Sequence, residues 1–266
     1  ENNYPLVIQN NLITIQPSIQ IVAIHGSDKL DEIPNLDASD YRIDENNLFL
    51  PHRTQGNDLI MTGGRVDYGL KVFNSTKLFG KLSAFIGQSY NLWGTNERHL
   101  QHNNLIDINN KRTDYIAKLA FQPTTSVNLD WNARLNPETL EINEATSSIT
   151  QTFENFSISS SHSTINEGYL SNANGDEILN LTLSGRILKD WNFSTFQNYD
   201  LHSGNQKLLN GGFQLNYSGT LQDCLEIRIQ YNKHTKTDAS IAPNDEVSIF
   251  LNFKYLGEIK DPLNML

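Results

Sequence analysis

The sequence predicts an all-β protein, an antiparallel transmembrane β-barrel of which this chain forms a fragment of about twelve strands. Apolar and polar residues alternate with a period of two in successive segments from about residue 110 to the C-terminus, as they do on a strand with one apolar face. The segments run about ten to fourteen residues, whereas strands of soluble sandwiches usually run about five or six. The links between them alternate between short and long, which is typical of outer-membrane barrels.

The sequence predicts three strands in the N-terminal third of the chain, over 12–25, 58–75 and 79–92. The first places Ile13, Ile15, Ile19 and Ile21 on one face, and only Pro17 interrupts it. This segment has the pattern of a strand from the middle of a sheet, and the chain begins at Glu1 without an apolar signal segment. We therefore expect the chain to be a fragment. The pair Gly63-Gly64 is interpreted as a bend or a close approach within a strand.

In the middle of the chain, apolar and polar residues alternate regularly along the sequence. Alternation predicts strands over 112–122, 125–135, 138–150, 152–165, 177–188 and 191–202. The clearest sets are Val127, Leu129, Trp131 and Ala133 against Asn128, Asp130, Asn132 and Arg134, and Leu179, Leu181 and Leu183 against Asn180, Thr182 and Ser184. Neither segment could form a helix without mixing the two sets.

The C-terminal part repeats the design in strands predicted over 206–218, 223–236 and 246–256. The apolar sets are Leu209, Phe213, Leu215 and Tyr217, then Leu225, Ile227, Ile229 and Tyr231, and finally Val247, Ile249, Leu251, Phe253 and Tyr255.

A water-soluble β-sandwich would show the same alternation. The strand lengths and the links favour the barrel instead. Short turns are expected at 121–126, 150–153, 188–191 and 218–223, and longer links at 94–112, 166–176 and 235–245. With the short turns on the periplasmic side, 27–57 is a long extracellular loop.

Composition excludes several classes of protein. No apolar run approaches the roughly 20 residues that a membrane helix needs. A net charge of −10 and a pI near 5.1 argue against a nucleic-acid partner, which would require a basic patch. The histidines lack metal-ligand spacing and no nucleophile elbow is present, so we expect no enzyme, no metal and no cofactor.

Two sets of side chains merit attention as sites. Five cations on the polar faces are candidate contacts for phosphate or carboxylate groups in a barrel lumen: Arg65, Arg134, Arg186, Arg228 and Lys254. The alternative is that they pair with the protein's own acids, such as Asp67, Asp130 and Glu226. Aromatic residues near the predicted strand ends suggest membrane girdles, namely Trp93, Trp131 and Trp191 with Tyr90, Tyr169 and Tyr199.

A family resemblance rests on several short motifs and on their order. They are Ile33-Pro34-Asn35-Leu36-Asp37-Ala38-Ser39-Asp40, Asn47-Leu48-Phe49, Gly56-Asn57-Asp58, Gly64-Arg65-Val66-Asp67-Tyr68-Gly69-Leu70, Gly87-Gln88-Ser89-Tyr90, Asp223-Cys224-Leu225-Glu226, Pro243, and Phe250-Leu251-Asn252-Phe253-Lys254-Tyr255-Leu256-Gly257. Together they resemble the C-terminal barrel region of the LPS-assembly protein LptD family, from about Gln16 to Gly257.

The resemblance implies a location, a function and partners. It implies an outer-membrane protein of a Gram-negative bacterium that receives lipopolysaccharide from periplasmic bridge proteins and inserts it into the outer leaflet through a lateral seam. A lipoprotein plug in the lumen, the bridge proteins and outer-membrane lipids would be its partners. Residues 1–257 would belong to the barrel, with 258–266 as a C-terminal tail. The strand with Val247, Ile249, Leu251, Phe253 and Tyr255 would form one lip of the seam.

Cys224 is the single cysteine of the chain. By count alone it is either a buried thiol or half of a disulfide whose partner lies elsewhere. The resemblance implies a bridge to a region outside this chain. Asp223 stands where the family often has a second, adjacent cysteine.

A passive porin or a receptor-type outer-membrane barrel remains the alternative function.

Overall fold

The computed structural model describes residues 4–8, 11–25, 43–53, 62–76, 80–94, 111–166, 176–202, 207–218, 225–235, 244–253 and 257–259. Every regular element within these ranges is a β-strand, which confirms the predicted all-β antiparallel class. In the same ranges, no helix has the length and apolar character needed to cross a membrane.

In the described parts of the chain, fourteen strands follow one another. They are β1 (Tyr4–Ile8), β2 (Asn11–Ile24), β3 (Gly63–Thr76), β4 (Gly80–Trp93), β5 (Tyr115–Thr124), β6 (Val127–Leu135), β7 (Ile142–Thr152), β8 (Phe156–Ile165), β9 (Asp176–Leu188), β10 (Trp191–Asp200), β11 (Lys207–Ser218), β12 (Leu225–His234), β13 (Asn244–Phe253) and β14 (Gly257–Ile259). Their order in the sheet is their order in the chain, with β1 and β14 at the two ends.

The twelve predicted strands correspond to β2 through β13, with bounds that differ by a few residues. Their lengths of 9 to 14 residues suit a tilted crossing of a bilayer. Strands β1 and β14 were not predicted, because five and three residues are too few to establish a period. β14 also extends the sheet into the predicted tail. Pro17 lies just beyond the part of β2 that β1 pairs, where a missing backbone N–H is tolerated.

The chain divides into two compact units. Unit 1 comprises Glu1–Thr125, Leu129–Ser147 and Thr164–Gly175, and it contains β1 to β5 and most of β6. Unit 2 comprises Ser126–Asn128, Ser148–Ser163 and Asp176–Leu266, and it contains most of β8 and all of β9 to β14.

The apolar face of unit 1 is the exposed one. The strand register places Ile19 opposite Tyr68 and Leu70 opposite Ile86, so these side chains share a face. Ile19 is 75% exposed and Ile86 is 45% exposed. On the other face of the same strands, charged and polar side chains are buried, with Asp67 at 0%. A soluble sandwich has the reverse arrangement.

Unit 2 shows the same exposed apolar face. Tyr231 lies opposite Val247, and Ile229 lies opposite Ile249, as the alternation predicts. Val247 is 62% exposed and Phe213 is 42% exposed. An exposed apolar surface on long strands indicates contact with a membrane or with another protein.

Links and aromatic residues agree with the sequence analysis in most places. The links at 125–126, 153–155 and 189–190 are short, whereas the turn expected at 218–223 lies almost entirely outside the described residues.

Trp93 ends β4 and Trp191 begins β10, as expected of a girdle. Trp131 lies at the centre of β6, so its expected position near a strand end is wrong. Tyr169 lies outside the described residues.

Candidate functional site

A folded segment, residues 43–53, lies between β2 and β3 and covers part of unit 1. The carboxylate Oδ1 of Asp44 accepts hydrogen bonds from the backbone N–H groups of Asn46 at 2.8 Å and Asn47 at 2.9 Å. Asn47 Oδ1 accepts one in return from the backbone N–H of Asp44 at 2.8 Å, and the N–H of Leu48 donates to the carbonyl of Asp44 at 3.0 Å. These side-chain bonds hold a tight turn in a part of the sequence that lacks any periodic pattern.

Leu48 attaches this turn to the sheet. Its side chain is fully buried and forms an apolar cluster with Ile43, Phe85 and Ile116. Phe85 and Ile116 lie on the otherwise polar face of β4 and β5. Gly87 provides the space, because a Cβ there would come within 2.5 Å of Leu48 Cδ2. The segment therefore covers the polar face and leaves the apolar face free.

A buried ionic cluster lies beneath the segment, with Asp67 of β3 at its centre. One carboxylate oxygen accepts hydrogen bonds from Arg53 Nη2 and from Ser89 Oγ, the latter at 2.5 Å. The other accepts from Arg65 Nε at 3.1 Å. The three charged side chains are at most 6% exposed. Burial of charge at this level requires partners for each group.

The two guanidinium groups also hold the backbone of the segment. Arg53 Nη2 donates to the carbonyl of Leu48 at 2.5 Å, and Arg65 Nη2 donates to the carbonyls of Leu50 at 2.7 Å and Pro51 at 2.9 Å. Two cations share a single carboxylate, and carbonyl oxygens of the segment are further acceptors. The cluster thus joins the segment 43–53 to β3.

A hydrogen-bonded chain of polar groups extends the cluster across β4 and toward β5. Ser89 receives a bond from Arg53 Nη1 at 3.2 Å, and its backbone N–H donates to Thr113 Oγ1 at 3.0 Å. Gln88, which is 1% exposed, donates to the carbonyl of Thr113 at 2.7 Å and accepts from the hydroxyl of Tyr68. Gln88 and Tyr68 pair directly on the apolar face, so this polar amide is satisfied there.

Arg134 of β6 forms a second charged contact with the segment. Its Nη1 donates to the carbonyl of Ile43 at 2.8 Å, and its Nε lies 3.8 Å from Asp114 Oδ2. Nearer the surface, Lys118 Nζ lies 2.7 Å from Glu45 Oε1. These contacts border a cavity of about 410 Å³ between the segment and strands β5 to β7.

The polar face of unit 2 carries mostly amides and hydroxyls. Arg228 lies 3.7 Å from Glu226 and has its guanidinium 5.6 Å from the ring of Phe250. Arg186 is exposed near the end of β9, and its side chain makes no hydrogen bond or ion pair with other described residues. His162 lies 2.8 Å from Glu177.

The five cations predicted as anion contacts have different surroundings in the structure. Arg65 and Arg134 contact the protein's own acids and carbonyls, and Arg228 lies beside Glu226, as the alternative interpretation expected. Arg186 remains a candidate anion contact, whereas Lys254 lies outside the described residues. The acid beside Arg134 is Asp114, which directly precedes β5, and not Asp130.

The predicted seam residues are placed in part. Val247, Ile249 and Leu251 share the apolar face of β13. Phe253 pairs with Leu225 at the end of the same two strands. β14 pairs only with Leu251–Phe253, so within the described residues Asn244–Phe250 has no partner strand on that side. Tyr255 and Cys224 lie outside the described residues.

Arg53 and Asp114 were missed as functional residues by the sequence analysis. Asp114 directly precedes β5, and Arg53 lies in the segment between β2 and β3. Both are in stretches without alternation, where a charged residue is usually exposed. The available signal was the apolar run Leu48-Phe49-Leu50 in an otherwise polar loop, since such a run needs a surface to cover it. Within the described part of the chain, no group of three or more metal-ligand side chains is found.

Long antiparallel strands with an exposed apolar face and a buried ionic polar face define an outer-membrane β-sheet protein. A family model described as LptD, LPS transport system D, matches residues 1–194 of the 266. The chain therefore belongs to the LptD family, which acts in lipopolysaccharide transport and whose proteins are outer-membrane proteins. The C-terminal motifs around 223–257 lie beyond the matched residues. No curated protein matches the chain.

Proposed function

We propose that this chain forms part of an outer-membrane translocon that receives lipopolysaccharide from a periplasmic bridge and inserts it into the outer leaflet. The observation that carries the proposal is the pairing of an exposed apolar face with a polar face on the same long strands, in a member of the LptD family. The apolar face would contact membrane lipid, and the polar face would form a hydrated path for the charged head and sugars.

The proposal assigns roles to parts of the chain. β13, with Val247, Ile249, Leu251 and Phe253, forms one lip of a lateral seam through which the acyl chains leave, and Tyr255, which lies outside the described residues, belongs to the same predicted strand. Among the described residues, no strand pairs with Asn244–Phe250 on the side away from β12, and this supports the role, because a seam that opens needs a strand edge with few permanent bonds. Residues 27–57 form an extracellular loop, part of which, 43–53, covers the polar face of unit 1.

The proposal also assigns partners and a location. A lipoprotein plug and periplasmic bridge proteins complete the path in the outer membrane of a Gram-negative bacterium, and Cys224 forms a disulfide with a region outside this chain. The family membership and the single cysteine support these assignments.

Depletion of the full-length protein in its native host tests the function. Lipopolysaccharide at the cell surface is expected to fall, and re-expression of the full-length protein should restore it. Uptake of a small neutral solute, measured in the same cells, is the control. If surface lipopolysaccharide is unchanged while solute uptake falls, the translocon proposal is wrong and a porin-type channel is indicated.

A further inference from the structure

An aromatic ring lies on the polar face of unit 2, where the alternation would place a polar side chain. Phe196 of β10 pairs with Thr182 of β9 and Gly212 of β11, between the polar positions Ser194 and Asn198. The spacing of three between Phe193 and Phe196 puts the two rings on opposite faces. Phe196 is 38% exposed, and it is not part of the buried apolar cluster found among the described residues.

Gly212 lets this ring lie close to the backbone of β11. A Cβ at Gly212 would come within 2.7 Å of Phe196 Cε1 and within 2.8 Å of Asn232 Oδ1. The glycine therefore leaves room for the ring on one side and for the Asn232 amide on the other. The ring forms an exposed platform in the centre of β10.

The groups around the platform are uncharged. Asn198 Nδ2 donates to Asn210 Oδ1 at 2.5 Å on one side, and Gln214 Nε2 donates to Asn216 Oδ1 at 2.9 Å on the other. The neutral neighbours on this face of β9 to β12 are Asn180, Thr182, Ser184, Ser194, Asn198, Asn210, Gln214, Gln230 and Asn232. The cations Arg186 and Arg228 lie toward the opposite end of their strands from Asn198.

An aromatic ring among neutral amide and hydroxyl groups suits the sugars of an amphiphilic glycolipid better than its phosphates or its acyl chains. Amide groups both donate and accept hydrogen bonds, as sugar hydroxyls do. The face of an aromatic ring is electronegative and attracts the weakly positive C–H groups of a sugar ring. A phosphate would need cations close to the ring, and an acyl chain would leave the amides without partners.

The described residues of unit 1 offer no comparable surface on its polar face. There the segment 43–53 covers the strands, and the guanidinium groups of Arg53, Arg65 and Arg134 are bound to the protein's own oxygens. We propose that Phe196 and the amides beside it form a contact site for neutral sugar residues in the glycan of lipopolysaccharide. This inference rests on the proposed function and adds the part of the substrate that unit 2 contacts.

Photo-crosslinking in living cells tests the site directly. Phe196 is replaced by p-benzoylphenylalanine in the full-length protein, in cells that make the complete glycan and in cells that make only its innermost acidic sugars. A lipopolysaccharide adduct is expected with the complete glycan, and about tenfold less adduct with the truncated one, because the ring would then have no sugar to contact. The same replacement at Phe213, on the apolar face of β11, is the matched control, and its adducts should not depend on glycan length.

Substitutions at Phe196 supply a second measurement that does not depend on the probe. Phe196→Leu keeps an apolar side chain without the ring, and Phe196→Tyr keeps the ring. With the complete glycan, we expect Phe196→Leu to slow the appearance of lipopolysaccharide at the surface by about two- to tenfold, the range that one aromatic contact supports. Phe196→Tyr should restore the rate, and neither variant should matter with the truncated glycan.

The outcomes separate this inference from the function on which it rests. If depletion lowers surface lipopolysaccharide but the Phe196 adducts and rates are the same with both glycans, the sugar contact is wrong and the translocon proposal stands. If depletion leaves surface lipopolysaccharide unchanged, the proposed function fails and the sugar contact fails with it. Equal slowing by Phe196→Leu and Phe196→Tyr with both glycans would show a structural role only, and would also overturn the inference.

Discussion

At the scale of single residues, Asp67 decides whether the segment 43–53 stays on the sheet. It is the carboxylate shared by two buried guanidinium groups. Its removal would leave Arg53 and Arg65 as uncompensated charges in a site closed to water, and breaking one partner of a buried pair costs about 3–5 kcal/mol. The stability of this part of the protein therefore depends on one side chain.

We expect Asp67→Asn to lower the stability of the full-length protein by about 3 kcal/mol or more. The measurement is the midpoint temperature of heat-modifiable migration in detergent. Asp130→Asn is the control, since it removes the same charge from a half-buried position on the polar face of β6. Equal midpoints for the two variants would contradict a structural role of the cluster.

Gly87 is a second residue with a defined steric role. We expect Gly87→Ala to displace Leu48, because the new methyl group would meet Leu48 Cδ2 at 2.5 Å, and overpacking of this kind costs about 1–3 kcal/mol. Trypsin should then cleave the purified protein faster at Arg53. Gly211→Ala is the control, since the nearest atom to its Cβ is 3.2 Å away.

A rescue experiment makes the Gly87 prediction specific to this contact. Leu48→Ala removes the side chain that the new methyl group meets, so the double variant should be cleaved no faster than Leu48→Ala alone. Additive effects of the two substitutions would show that Gly87 acts on the backbone of β4 and not through the segment.

At the scale of strands, the apolar face of each unit is expected to face lipid. Leu181 and Thr182 are neighbours at the centre of β9, both are exposed, and they lie on opposite faces. We expect Leu181→Arg to reduce the folded full-length protein in the membrane strongly, because arginine on a lipid-facing strand costs about 2–4 kcal/mol near the bilayer midplane.

Thr182→Arg is the matched control for this prediction, because a polar face in contact with water accommodates the same charge at little cost. The measurement is the amount of heat-modifiable protein in isolated outer membranes. Similar losses for both variants would show that the two faces have similar surroundings and would contradict the assignment of the faces.

The strands also show how far sequence alone reaches. Alternation predicts β2 to β13 and assigns their faces, since burial on a strand repeats every second residue. It does not predict the segment 43–53, whose turn depends on side-chain bonds from Asp44 and Asn47, or the ring of Phe196, which departs from the alternation. Arg65 was recognised as a candidate, but Arg53, which shares Asp67 with it, was not, because the bond from Arg53 to Asp67 joins a loop to a strand.

At the scale of the whole molecule, the sheet has two ends. Within the described residues, β1 and β14 each pair with a single neighbour, and β14 covers only the last part of β13. Backbone N–H and C=O groups that remain unpaired in hydrocarbon cost several kcal/mol each. Strands outside this chain would supply the missing bonds in a complete barrel.

We therefore expect the chain of residues 1–266 to require those additional strands for folding. Refolded alone in detergent, it should show no heat-modifiable band on electrophoresis, whereas the full-length protein treated in the same way should show one. The two edges give the physical reason, because β1 and β14 carry the backbone groups that additional strands would pair. A heat-modifiable band from the chain alone would mean that β1 and β14 can pair with each other, and that the chain closes a barrel without further strands.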